Sequence, residues 1–187
     1  GTAFKNLGEV ETMGTELSSK FDFSKYPILP TIYFSHTFLN TNIKSGYLDP
    51  YYFMGTGAPI DLSGNVLPYS PKNTFFLGIE QKIFKNRMNL RLELKYVDRV
   101  FTDFHNILEI GQVGIKGPVD SFYLLNGNIS YQFSKNILVN LTGKNLLDEI
   151  YIGSRLHSNP NQTQADISSG ILPGPRRQIN FSLKYSL

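Results

Sequence analysis

The residues from Arg177 to Leu187 alternate without a break: Ile179, Phe181, Leu183, Tyr185 and Leu187 fall on one side, and polar side chains fall between them. Successive side chains of an extended chain point to opposite faces, so this stretch is a strand with one apolar and one wet face. The same alternation returns about seven times along the 187 residues, with nothing helical between the repeats to cover the apolar sides. Those sides must therefore meet one another or lipid.

Taken in order, Gly8 to Phe23 sets Met13, Thr15, Leu17, Ser19, Phe21 and Phe23 against Thr12, Gly14, Glu16, Ser18, Lys20 and Asp22. Thr31 to Asn40 follows, with Ile32, Phe34 and Phe38 alternating with Tyr33, Ser35 and Thr37 until Leu39 interrupts the pattern. Asn73 to Phe84, Met88 to Val100, Ser121 to Phe133 and Ile137 to Asn145 complete the set before the terminal strand. Residues 43 to 72, 101 to 120 and 146 to about 176 are expected as long loops without elements of their own, a length that marks functional loops. Short turns fall at Lys85-Asn86-Arg87 and Ser134-Lys135-Asn136, and a short connector with Pro27 and Pro30 joins the first two strands. Connectors that alternate short and long put every tight turn at one end of an antiparallel sheet and every long loop at the other.

The 14 Phe, 11 Tyr and 16 Gly belong to strands and turns. Cysteine is absent, so neither a disulfide framework nor a thiolate metal site is available. A net charge of +3 without a basic run longer than Arg176-Arg177 gives no basis for nucleic-acid binding. No window approaches 18 consecutive apolar residues, which excludes a spanning helix but not a spanning barrel. The chain opens at Gly1-Thr2-Ala3-Phe4 without the features of a secretory signal, as expected of a processed protein or a piece of a longer one.

Strands of about ten residues fit a tilted bilayer crossing. Arg91, Glu93 and Lys95 share one face of a strand, and Glu16, Ser18 and Lys20 share another, as a water-filled lumen requires. Phe23, Phe84, Tyr131 and Tyr185 lie near strand ends, where interfacial girdles sit. Seven strands at roughly 4.8 Å spacing and roughly 40° tilt would close to a diameter near 14 Å, too narrow for a channel. These strands are expected to be an arc of a larger wall; a small stand-alone barrel and a soluble all-β binding domain are the alternatives.

The stretch from Lys144 to Tyr151, then Ile152-Gly153-Ser154-Arg155 and Leu172-Pro173-Gly174-Pro175-Arg176-Arg177, resembles the C-terminal end of TonB-dependent outer-membrane transporters. Asn6 to Leu17 looks like that family's Asn-x-Gly-x-x-x-x-x-Gly-x-Glu strand, and Leu67 to Thr74 is similar to another of its segments. Tyr96 to Asn106 is similar to the ferric citrate-type branch. The resemblance implies an all-β fold: an antiparallel transmembrane β-barrel segment, about seven strands of a 22-stranded barrel, with short periplasmic turns and long extracellular loops. It implies that residues 1 to 187 are the C-terminal portion of that barrel, with the plug and the TonB-contacting box lying outside them. It further implies uptake of a ferric chelate, siderophore or ferric citrate-like, across the outer membrane of a Gram-negative bacterium. Its partners would be that ligand, the TonB complex reached only through the plug, outer-membrane lipid and the barrel insertion machinery. Leu187 stands where the family usually ends in Phe, which implies weaker recognition by that machinery.

No enzyme and no cofactor are expected. His36, His105 and His157 lack ligand spacing, no Gly-x-Ser-x-Gly elbow occurs, and Gly111, Gly114 and Gly117 lack the strand and helix of a dinucleotide fingerprint. The candidate ligand contacts are Tyr47, Tyr51, Tyr52, Arg99, His105 and Arg155 on the long segments, with Arg176 and Arg177 as further cations. Tyrosines could stack on or hydrogen-bond a chelate, and arginines could attract an anionic one. The same tyrosines also suit a headgroup belt or loop packing, and Arg176 and Arg177 suit the start of a strand at a charged surface.

Overall fold

The computed structural model describes residues 8–23, 25–26, 29–48, 58–110, 114, 116–155 and 170–186. Its strands are β1 (Gly8–Phe21), β2 (Thr31–Leu48), β3 (Ile60–Asp61), β4 (Asn73–Ile83), β5 (Met88–Val97), β6 (Phe122–Gln132), β7 (Ile137–Lys144), β8 (Ile152–Arg155), β9 (Ile171–Pro173) and β10 (Gln178–Tyr185). Seven of them form one antiparallel sheet in the order β1-β2-β4-β5-β6-β7-β10, with β3 added to β2 and β8-β9 a separate hairpin. Among the described residues there is no helix.

The register shows that one face of the sheet is apolar from edge to edge. One row runs Phe21, Ile32, Ile79, Leu92, Gly127, Gly143, Ile179; another runs Leu90, Ile129, Leu141, Phe181. Among the described residues no second sheet covers them: Leu92 is 50% exposed, Leu183 59% and Phe181 68%. A water-soluble sandwich would bury those side chains at roughly 25 cal/mol per Å². The opposite face carries Thr31, Glu80, Arg91, Asn128, Thr142 and Asn180 in one row. There Arg91 Nε donates to Glu93 Oε1 at 2.6 Å, the Tyr33 hydroxyl donates to Glu80 at 3.2 Å, and Asn128 Nδ2 donates to Thr142 Oγ1 at 2.8 Å. Phe76 and Leu124 interrupt this polarity near the long-loop end.

Aromatic rings bound the apolar band. His36, Phe75, Tyr96 and Tyr123 stand in one row toward the long loops, with His36 stacked on Phe75 at 4.2 Å. Tyr131 and Tyr185 lie in the rows nearest the short turns, beside Phe84 and Phe133. Tyr123 and Tyr131 are eight residues apart, roughly 27 Å along a strand. At a tilt of about 40° that projects to about 21 Å, close to the roughly 25 Å apolar band of an outer-membrane barrel.

The seven expected strands are all present, with two corrections above the band. β2 does not stop at Asn40 but runs to Leu48, so residues 43 to 48 belong to a strand, and β3 pairs with its end. The residues from 146 to 176 likewise contain β8 and β9. The continuation of β2 depends on a bulge: Val10 pairs with Ile43 and Glu9 with Ser45, leaving Lys44 as the extra residue. The bulge resets the alternation, so Thr41, Ile43, Gly46 and Leu48 are all buried. Ile43 and Leu48 pack with Leu62, and Leu67 and Phe104 close over them. This small core sits at the long-loop end, between the upper part of β2 and the loops. Among the described residues the edges of the sheet, at β1 and β10, each have a strand on one side only.

Candidate functional site

The three long connections are fastened to one another at one end of the sheet. Between the first and second, Asn65 Nδ2 donates to the Phe104 carbonyl at 2.8 Å, and Asn106 both accepts from Val66 N at 2.8 Å and donates to the Val66 carbonyl at 3.0 Å. Between the first and third, the Tyr69 hydroxyl donates to the Arg155 carbonyl at 2.9 Å and accepts from Arg155 N at 3.1 Å. Between the second and third, Arg155 Nε donates to the Pro118 carbonyl at 3.0 Å and Nη1 to the Gly114 carbonyl at 2.6 Å. Arg155 is 4% exposed. A buried guanidinium is tolerated because its donors meet carbonyls, and each charge-assisted bond is worth roughly 1.5–3 kcal/mol.

Beside this junction lies a cleft of about 490 Å³. Lys72 and Arg99 bring positive charge to it, Asp98 and Asp120 negative charge, and Tyr96, Ser70 and Ser121 hydroxyls. Asp98 is occupied: Asn73 Nδ2 donates to one oxygen at 2.7 Å and the Tyr96 hydroxyl to the other at 2.8 Å. Lys72 Nζ lies 5.8 Å over the Phe38 ring. Arg99 is exposed, and among the described residues no hydrogen bond or ion pair engages its side chain. The cleft therefore offers an unspent guanidinium and an ammonium within reach of an anionic or oxygen-rich ligand.

Of the residues singled out from sequence, Arg99 lines the cleft and Arg155 stands behind it. Tyr47 is 58% exposed, opposite Asp61 on β3, and is not among the cleft's lining residues. His105 follows the buried Asp103, with Nδ1 3.9 Å from its carboxylate, and the Asp103 carboxylate accepts from His105 N at 2.8 Å. Tyr51 and Tyr52 lie outside the described residues, as do His157 and Leu187. Among the described residues, no group of three His, Asp or Glu is placed to hold a metal. Tyr69, Asn106 and Lys72 were not anticipated as site residues. Tyr69 is held at φ 55°, a conformation uncommon outside glycine and asparagine, and nothing in the residues around it announces this.

Residues 1–146 match the family described as TonB dependent receptor-like, beta-barrel. The chain belongs to this family. No curated protein matches the sequence. Among solved structures it is similar to the siderophore receptor PiuA from Acinetobacter baumannii, at 20% identity and a TM-score of 0.70 over 95% of this chain and 22% of that one. It is similar to the ferric citrate transporter FecA in its unliganded form, at 21% identity and a TM-score of 0.72 over 94% and 24%. The ferric yersiniabactin uptake receptor FyuA from Yersinia pestis aligns at 15% identity and a TM-score of 0.69 over 96% and 24%. The chain thus spans about a quarter of the length of these structures, and at such identities the likeness establishes the fold.

As a TonB-dependent receptor barrel segment, the chain turns its apolar face to lipid and its polar face to the lumen. Its short turns are periplasmic and its long loops extracellular, which puts the cleft at the external mouth. The segment after β7 anchors that mouth. Asn145, 4% exposed, donates through Nδ2 to the Glu149 and Pro175 carbonyls at 2.9 and 3.0 Å and accepts from Glu149 N at 2.9 Å. Arg176 grips Asp148 through Nε at 2.9 Å and through Nη2, and Arg177 N donates to the same carboxylate at 2.9 Å. The Arg176 guanidinium, followed by the Arg177 N–H, holds the Asp148 carboxyl well below the usual carboxylate range. Tyr151 stacks on Phe122 at 4.4 Å and lies flat on Gly174, where a Cβ would come within 2.1 Å of the ring. Burial pushes the Tyr151 phenol up.

Proposed function

We propose that these residues form wall and mouth in the C-terminal part of a TonB-dependent transporter that takes up a ferric chelate, siderophore or ferric citrate-like, through the outer membrane of a Gram-negative bacterium. The observation that carries this reading is the cleft at the extracellular end, where Arg99 faces solvent with its charge unspent, beside Lys72 over the Phe38 ring, on a platform made by three joined loops. An iron chelate with carboxylate, catecholate or hydroxamate oxygens presents the acceptors that such cations bind. The three aligned structures are described as receptors or transporters of siderophores, ferric citrate and ferric yersiniabactin, which supports the ligand class.

Under this reading Arg99 contacts the ligand, and the exposed Tyr47 is a further candidate outside the cleft, whereas both ring nitrogens of His105 are buried. Energy would arrive through TonB, acting on a plug segment outside these residues. The chain performs no catalytic step. The test is radioactive iron uptake by cells that carry the intact receptor, with ferric citrate and representative catecholate and hydroxamate chelates, in the presence and absence of TonB. TonB-dependent uptake of at least one chelate is expected, reduced about tenfold by Arg99→Ala, the loss of one charged hydrogen bond. Failure to take up any of them would overturn the reading.

A further inference from the structure

Arg155 looks from sequence like a ligand contact, yet its guanidinium points away from the cleft and into the loops. The bonds it makes converge on the segment that carries Arg99. Through Nε it holds the Pro118 carbonyl. The next residue, Val119, pairs with Val100 by two backbone bonds of 2.9 Å each. Val100 directly follows Arg99. From the other side, Tyr69 clasps the Arg155 backbone through its hydroxyl, and its own N–H donates to the Phe101 carbonyl at 2.9 Å. A third tie joins the Thr102 hydroxyl to the Gly117 carbonyl at 2.8 Å. Residues 100 to 102 are thus braced on both flanks by groups that Arg155 and Tyr69 hold in place.

We propose that Arg155 and Tyr69 are a positioning pair: they touch no ligand, and they fix the backbone on which Arg99 stands, so that its guanidinium is presented to the cleft without first having to order the loop. The ligand side of this proposal rests on the uptake reading given above. The mechanical side does not. Preorganisation of this kind raises affinity because the ordering cost has been met before the ligand arrives. Lysine cannot replace Arg155, since a single ammonium on a flexible stem does not reproduce two donors aimed at carbonyls of two different residues.

The experiment uses the intact receptor in lipid vesicles and has two arms. In the first, a nitroxide is attached at Arg99→Cys, and its mobility is read by electron paramagnetic resonance with no ligand present. Tyr69→Phe, which keeps the ring and removes only the hydroxyl, and Arg155→Lys are each expected to mobilise the label. A control label at Lys82→Cys, near the periplasmic turns, should stay unchanged. An unaltered spectrum at position 99 in both variants would overturn the proposal, as would equal mobilisation at both labels.

In the second arm, the dissociation constant for ferric citrate, or for whichever tested chelate the cells take up, is measured in a double-mutant cycle. Arg99→Ala and Arg155→Lys are each expected to weaken binding about tenfold, and the double variant by about the same tenfold, because both changes disable one interaction. A product near a hundredfold would mean independent action and would refute positioning. A wild-type receptor that binds none of the chelates would overturn the uptake reading, and the spin-label arm would still decide the bracing.

Discussion

Two kinds of charged side chain in the loops meet opposite fates. Arg99 stays exposed in a cleft, whereas Arg155, Arg176 and Asp148 are consumed by architecture. Sequence alone could not separate them, because carbonyl acceptors leave no signature and the Tyr69 and Arg155 partners lie 86 positions apart. The Asp148 pair can be tested by titration. Arg176 holds its carboxyl below the ordinary value of about 3.9, so on acidification the unfolded chain takes up that proton first. The anchor's contribution is therefore complete above the unfolded value and is lost only as pH falls through the lower folded one. With Arg176→Gln, the Asp148 titration followed by carboxyl NMR should move up toward the ordinary range. No movement would assign the depression to the Arg177 N–H instead.

At the scale of the strand, what the alternation revealed depended on what each face meets. Strands β4 to β7 and β10 face bulk lipid on one side and water on the other, so alternate residues report the same environment, Phe76 and Leu124 excepted. Above the band that rule fails. The upper part of β2 packs against particular loop residues, its buried positions include Thr41 and Gly46, and the bulge at Lys44 shifts the period. Periodicity ends the strand at Asn40 for a sound physical reason. Deleting Lys44 should restore an unbroken alternation with Gly46 and Leu48 still inward, whereas Leu48→Ala should strip the side chain that packs on Ile43 and Leu62. The cost of that truncation should be the one usual for a buried leucine, about 2–5 kcal/mol. Limited proteolysis should then cut within residues 58 to 72 while β4 to β7 remain protected.

For the molecule as a whole, the register assigns each side chain to lipid or lumen, and two neighbouring positions test that assignment. Leu92 lies midway between the aromatic rows on the apolar face, and Asn128 lies on the polar face of the adjacent strand. Leu92→Arg should destabilise the barrel by roughly 2–4 kcal/mol, whereas Asn128→Arg should fold with near-native yield. Urea titration of the intact receptor in vesicles, read by heat-modifiable mobility, would compare them. Equal tolerance of both would mean that the faces have been assigned wrongly.

The margins of the sheet carry a last implication. Along the outer sides of β1 and β10, amides and carbonyls look for complements that the described strands do not provide. In hydrocarbon each such group costs several kcal/mol, so the bilayer accepts this ribbon only when other strands flank it on both sides. In water the same margins are templates: handled without those flanking strands, the ribbon would zip onto copies of itself and grow into cross-β fibres.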